Sequence, residues 1–157
     1  MGRILSRLND AAFDYVVVGG IAVIAYGYVR VTEDLDVMVP DTPETGSALR
    51  ELLQDWGATA VSGDRLPDAV FDGVHHVRAL TPDGVVDFIP EGAAPLDFDS
   101  VRAGSVEAQL DGQPAPIIGL AHLVAMKRLA GRPRDRADLF ELEEAQGPLP
   151  ETDPPVR

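Results

Sequence analysis

Apolar positions along the chain change period several times, and each change marks a predicted element. Ile4, Leu5, Leu8 and Ala12 fall roughly on one stripe of a 3.6-residue period, which predicts a helix over residues 3–13. The unbroken run Tyr15-Val16-Val17-Val18 predicts a buried strand. Ile21–Tyr26 is apolar on every face and predicts a buried helix directly after Gly19-Gly20, ended by Gly27. Leu35–Val39 predicts a second strand, stopped at Pro40. Thr42 as N-cap and Pro43 at the first helical position open a helix. Along it Ala48, Leu49, Leu52, Leu53 and Trp56 recur at helical spacing, and Gly57 closes it.

Residues 58–73 hold only short strand-like fragments. His75–Leu80 and Val85–Ile89 predict a hairpin over the turn Pro82-Asp83-Gly84. After an irregular or briefly helical segment at 91–103, Ser105–Leu110 and Pro114–Ile118 predict another hairpin across Asp111-Gly112. Leu120–Ala130, ended by Gly131, and Pro133–Glu144 predict two closing helices. The whole predicts an α/β (α+β) domain over residues 1–146, a mixed β-sheet flanked by helices. A proline-rich flexible tail is expected at 147–157.

Composition narrows the setting. The 157 residues suit one domain, and 45% hydrophobic with 25% charged residues is ordinary for a globular protein. No apolar run approaches the ~20 residues that span a bilayer, and the N-terminus does not resemble a signal peptide. The absence of cysteine excludes disulfides and thiolate metal sites. A cytoplasmic protein with no membrane partner is expected. The net charge of −13 argues against an extended nucleic-acid or anionic-membrane surface. Lys127, Arg128, Arg132, Arg134 and Arg136 nevertheless cluster. They form either a local phosphate grip or a solvated helix surface.

The candidate chemistry sits where polar residues interrupt this pattern. Asp34 and Asp36 open the second strand and share one of its faces, with Cα atoms about 6.5 Å apart. Two carboxylates at that separation can hold a divalent cation, or a pair of cations. Gly19-Gly20 bares a backbone that a triphosphate can approach. Separately, a tight turn and a solvated strand edge would account for these features; together they favour a phosphate-and-metal site. Asp87 interrupts the apolar strand Val85–Ile89, and a buried carboxylate is costly unless paired or metal-bound. If the two strands are neighbours, three carboxylates converge.

Lys127 is the single lysine beside twelve arginines and shares a helix stripe with Leu120, Leu123 and Val124. It suits either a point contact to phosphate or a snorkelling position at a helix end. Asp135 and Asp138 share the apolar face of the last helix with Leu139 and Leu142. Helix-dipole compensation with an ion pair to Arg30 or Lys127 explains them as well as a catalytic role does. Arg30 and Thr32 lead into Asp34 and can reach a triphosphate or a carboxylate. His75, His76 and His122 form no metal set and are expected to be structural, the first two on opposite strand faces.

Gly19-Gly20, Arg30-x-Thr32-x-Asp34-Leu35-Asp36 and Asp87 resemble the signature of the DNA polymerase β-like nucleotidyltransferase superfamily. The segment from Ala125 through Lys127 to Asp135, Asp138 and Leu139 is similar to that of short bacterial relatives akin to abortive-infection type toxins. The resemblance implies a single nucleotidyltransferase-type domain that moves NMP from an NTP donor to a hydroxyl. It implies two Mg²⁺ ions on Asp34 and Asp36, with Asp87 completing the site and helping to activate the acceptor. It implies phosphate contacts from Gly19, Gly20 and Lys127, with Arg30, Thr32 and Asp135 also nucleotide-binding. Many members of that superfamily carry a further acceptor-binding domain that is not recognisable here, so the resemblance leads us to expect an acceptor that is small or comes from a partner protein. Rival readings are a catalytically inactive binding module or antitoxin, and an antibiotic-modifying transferase, which the acidic charge suits.

Overall fold

A computed structural model describes residues 1–28, 30–90 and 96–151 of the chain. The start of the expected irregular segment, 91–95, and the end of the expected tail, 152–157, lie outside the described residues. Six strands form one sheet: β1 Val16–Val17, β2 Asp34–Val39, β3 Val77–Thr81, β4 Gly84–Pro90, β5 Val106–Leu110 and β6 Gln113–Ile117. Their order is β3-β4-β2-β1-β6-β5. β2 runs parallel to β4 and β1 to β6; the other three pairings are antiparallel. The domain is thus the expected mixed sheet with helices packed on it.

Both expected hairpins form, each pivoting on two residues. Thr81 pairs with Gly84 around Pro82-Asp83, and Leu110 pairs with Gln113 around Asp111-Gly112. His75 and His76 fall before β3 rather than within it, so the opposite-face expectation for them fails. β1 is shorter than the apolar run that predicts it, although all of Tyr15–Val18 is buried. Beyond its ladder, the Val18 amide donates to the Asp36 carbonyl at 2.9 Å, which brings the end of β1 beside β2's acidic residues.

The helices are α1 Gly2–Asp10, α2 Gly19–Ala25, α3 Pro43–Asp55, α4 Phe98–Ala103, α5 Leu120–Ala130 and α6 Pro133–Gln146. α1 stops before Ala12, which takes φ 49°. Gly19 and Gly20 are the first residues of α2 rather than a turn ahead of it. Thr42 caps α3 as its sequence predicts, its Oγ1 accepting from the Thr45 amide at 3.1 Å. α5 ends on a left-handed Gly131, φ 60°, and the chain reverses into α6.

Ile4, Leu5 and Leu8 of α1, Leu49 and Leu53 of α3, Leu123 of α5 and Leu142 of α6 join Val37, Met38, Val86 and Phe88 of the sheet in one core. Phe88 meets Phe13 edge-on, with ring centroids 6.1 Å apart. Leu149 also packs against this core. Among the described residues no helix is long and apolar enough to cross a membrane.

The Thr42 cap gives a direct check on this architecture. Thr42→Ala is expected to cost about 1 kcal/mol, read as a lower urea midpoint at unchanged slope. Thr42→Ser should recover most of the loss.

Candidate active site

Strand register builds one wall of the site. β2 and β4 run parallel with Asp36 opposite Asp87, and Asp34 lies two residues back on the same face of β2. Asp87 is buried, while Asp34 and Asp36 are half-buried. The Gly19-Gly20 backbone lies against them. Gly19 has φ 62°, and a Cβ there would overlap the Asp36 carboxylate. A Cβ on Gly20 would crowd the Arg30 guanidinium and the Thr32 hydroxyl. Thr32 Oγ1 donates weakly to the Asp34 carbonyl, at 3.4 Å.

β3 and the residue before it add Arg78, which the sequence reading did not single out, and His76, which it read as structural. The two-residue turn sets Arg78 directly opposite Asp87. Arg78 Nη1 donates to Asp87 Oδ2 at 2.5 Å and Nη2 to Asp34 Oδ2 at 2.6 Å, so one guanidinium bridges two of the three carboxylates. His76 Nε2 lies 2.8 Å from the other Asp87 oxygen. Counting back from Gly84 across the expected turn reaches Arg78 opposite Asp87; the turn was the available signal.

Asp36 is treated differently. Among the described residues no cation forms an ion pair with it. Burial, then the neighbouring Asp87 charge, pushes its carboxyl above the usual range of 3.8, partly opposed by a hydrogen bond from the Gly20 backbone.

The facing wall comes from α5 and α6. Lys127 is buried, and its Nζ donates to Asp138 Oδ2 at 2.7 Å and Asp135 Oδ1 at 3.1 Å. Arg30 Nη1 reaches both Asp138 oxygens at 2.7 Å. Asp135 also caps α6, accepting from the Arg132 amide at 3.2 Å and from Arg132 Nε at 2.7 Å. Burial alone would raise the Asp135 carboxyl, but hydrogen bonds from Arg132 and Lys127 outweigh it and hold it below the usual range. The two acids on the apolar face of α6 are therefore ion-pair partners of Lys127 and Arg30. Asp138, for which an ion pair to Arg30 or Lys127 was one of two expectations, is the acid that joins both cations.

Between the walls lies a cleft of about 340 Å³. Gly19, Gly20, Arg30, Asp34, Asp36, Asp87, Lys127 and Asp135 line it, together with His76, Arg78, Arg132 and Arg134. Thr32 stands behind this lining, next to Gly20. The basic cluster divides: Arg132 and Arg134 face the cleft, whereas Arg128 turns to the Pro150 carbonyl at 2.7 Å. Among the described residues no three acidic or imidazole groups form a ready metal cage. The donor chemistry still fits a hard cation: the groups are carboxylate oxygens, and Asp36 carries an unpaired charge.

Two expectations follow for stability. Asp36→Asn should melt higher than wild type at pH 7 without divalent cation, because the ionised carboxylate is disfavoured in the fold. That penalty is absent below the unfolded pKa and grows as pH rises through the raised folded value, so the gap between the two proteins should close in acid. Lys127→Ala should lose about 3–5 kcal/mol, the cost of stripping one partner from a buried ion pair, measured by urea denaturation. A Lys127→Ala protein as stable as wild type would show that solvent already compensates Asp135 and Asp138.

No protein-family model matches the sequence, and no curated protein does. Solved structures match the fold. The antibiotic-resistance factor ANT(2'')-Ia in solution superposes with a TM-score of 0.62 at 16% identity, covering 93% of this chain and 82% of its own. Its crystal structure with adenylyl-2''-tobramycin gives 0.58 at 15% identity, over 92% and 86%. A nucleotidyltransferase-like protein from Paracoccidioides brasiliensis gives 0.58 at 17% identity, over 88% and 70%. A protein from Thermotoga maritima described as a nucleotidyltransferase gives 0.59 at 13% identity, over 90% and 89%. The chain has the fold of nucleotidyltransferases.

Proposed function

We propose that this protein is a Mg²⁺-dependent nucleotidyltransferase that moves NMP from an NTP to a hydroxyl acceptor and releases pyrophosphate. One observation carries the reading. Asp36 and Asp87 face each other in register beneath the Gly19-Gly20 backbone, in a cleft whose opposite wall holds Lys127 and Arg132. The acceptor oxygen attacks the α-phosphorus, the bond to the bridging β-phosphate oxygen breaks, and the acceptor proton passes to Asp87. His76 is half-exposed and hydrogen-bonded to Asp87, which gives that proton a way to solvent. Gly19, Gly20, Arg30 and Lys127 receive the phosphates, and Asp135 holds Lys127 in place. Thr32 backs Gly20 at the start of α2, and Asp34 and Asp36 hold the cation. Mg²⁺, when bound there, supplies charge neutralisation for the triphosphate.

The acceptor class is RNA, protein or a small molecule. A place in a toxin–antitoxin pair, with a cognate protein partner, is supported by the motif resemblance alone. The antibiotic-modifying alternative has a separate support. The net charge of −13 favours cationic acceptors, and a structural neighbour binds an adenylylated aminoglycoside.

Incubation with each α-labelled NTP and Mg²⁺, with added RNA, lysate protein or aminoglycosides, separates these readings by where label appears. Label transfer is expected for wild type and its loss for Asp36→Asn and in chelator. Failure of every NTP to label any acceptor, while wild type binds NTP as tightly in chelator as in Mg²⁺, would instead make the domain a binding module.

A further inference from the structure

We propose that Arg78 is a built-in counter-cation of the site, taking the place of one of the two expected Mg²⁺ ions, so that the nucleotide-bound chain holds a single divalent cation. This deepens the nucleotidyl-transfer reading and rests on it. The guanidinium occupies Oδ2 of both Asp34 and Asp87, at 2.6 and 2.5 Å. A divalent ion bridging those two residues through Oδ2 would compete with the guanidinium for the same oxygens and lie against its positive charge. The other Asp87 oxygen, Oδ1, is hydrogen-bonded to His76 Nε2 at 2.8 Å.

What remains for a metal is on β2: the Asp36 carboxylate, which no cation pairs among the described residues, and the second oxygen of Asp34. In the nucleotide-free site one divalent ion together with Arg78 balances the three charges of Asp34, Asp36 and Asp87. Arginine suits the role because its planar fork spans two carboxylates and never deprotonates. Its position is set by backbone pairing, since Arg78 and Asp87 are register partners in the β3–β4 hairpin.

Native mass spectrometry of the chain with Mn²⁺ and the α,β-methylene analogues of ATP and GTP counts ions per nucleotide-bound complex. One Mn²⁺ is expected for wild type and two for Arg78→Met, which keeps side-chain length but removes the charge. Arg78→Gln is the companion should the Met variant melt early, and it too should hold two. Two ions in wild type, or one in the wild type and in a folded variant alike, would overturn the proposal and leave the transfer reading standing. Nucleotide complexes free of Mn²⁺ in all three proteins would overturn both.

Discussion

The parallel pairing of β2 with β4 sets the central problem of this molecule. Its register puts Asp36 opposite Asp87, and like charges directly opposed across strands are unfavourable. The apolar residues leave no freedom to avoid this. Slipping β4 by one residue would turn Val86 and Phe88 out of the core. The hydrophobic alternation therefore fixes the acidic pair as firmly as it fixes the core. Neighbouring elements are arranged to manage the charge: β3 and the residue before it bring Arg78 and His76 to one member, while α2 presents a side-chain-free backbone to the other.

The opposite wall repeats the principle with the signs exchanged. Lys127 is buried on α5, and α6 supplies Asp135 and Asp138 where an ordinary helix contact would use leucine. Leu142 is the one apolar side chain fully buried on that helix. Part of the α5–α6 interface is consequently an ion cluster, closed on its far side by Arg30 from the segment leading into β2. Such a cluster is weak evidence for stability, since a packed apolar interface of similar volume is often as stable. It does tie the cationic wall to the strand that carries Asp34 and Asp36.

Much of this was legible in the sequence because it depended on local rules. The Thr42 cap, the Gly131 stop, both hairpins and the shared faces of Asp34 with Asp36 and of Asp135 with Asp138 follow from spacing and turn chemistry alone. Partnerships across the sheet were harder. Arg78 lies inside the predicted strand His75–Leu80 without being singled out there, and its importance appears only once β3 is paired with β4 and β4 with β2. His76 was assigned to the strand it precedes, so its face was misjudged. The ends of α1 and β1 were missed because apolar periodicity continues past the point where hydrogen bonding stops.

The contacts of the two walls also differ in how far along the chain they reach, and this bears on folding. Arg78 pairs with Asp87 nine residues away, and Lys127 with Asp135 and Asp138 at eight and eleven. Closing such short loops costs little entropy, so each half of the cleft can assemble within its own hairpin. The ties between segments span far more chain, 44 residues for Arg78 to Asp34 and 108 for Arg30 to Asp138. Contacts of that separation slow a folding reaction. The nascent chain thus carries two charge-compensated fragments, and the cleft exists only after the slowest-forming contacts join them.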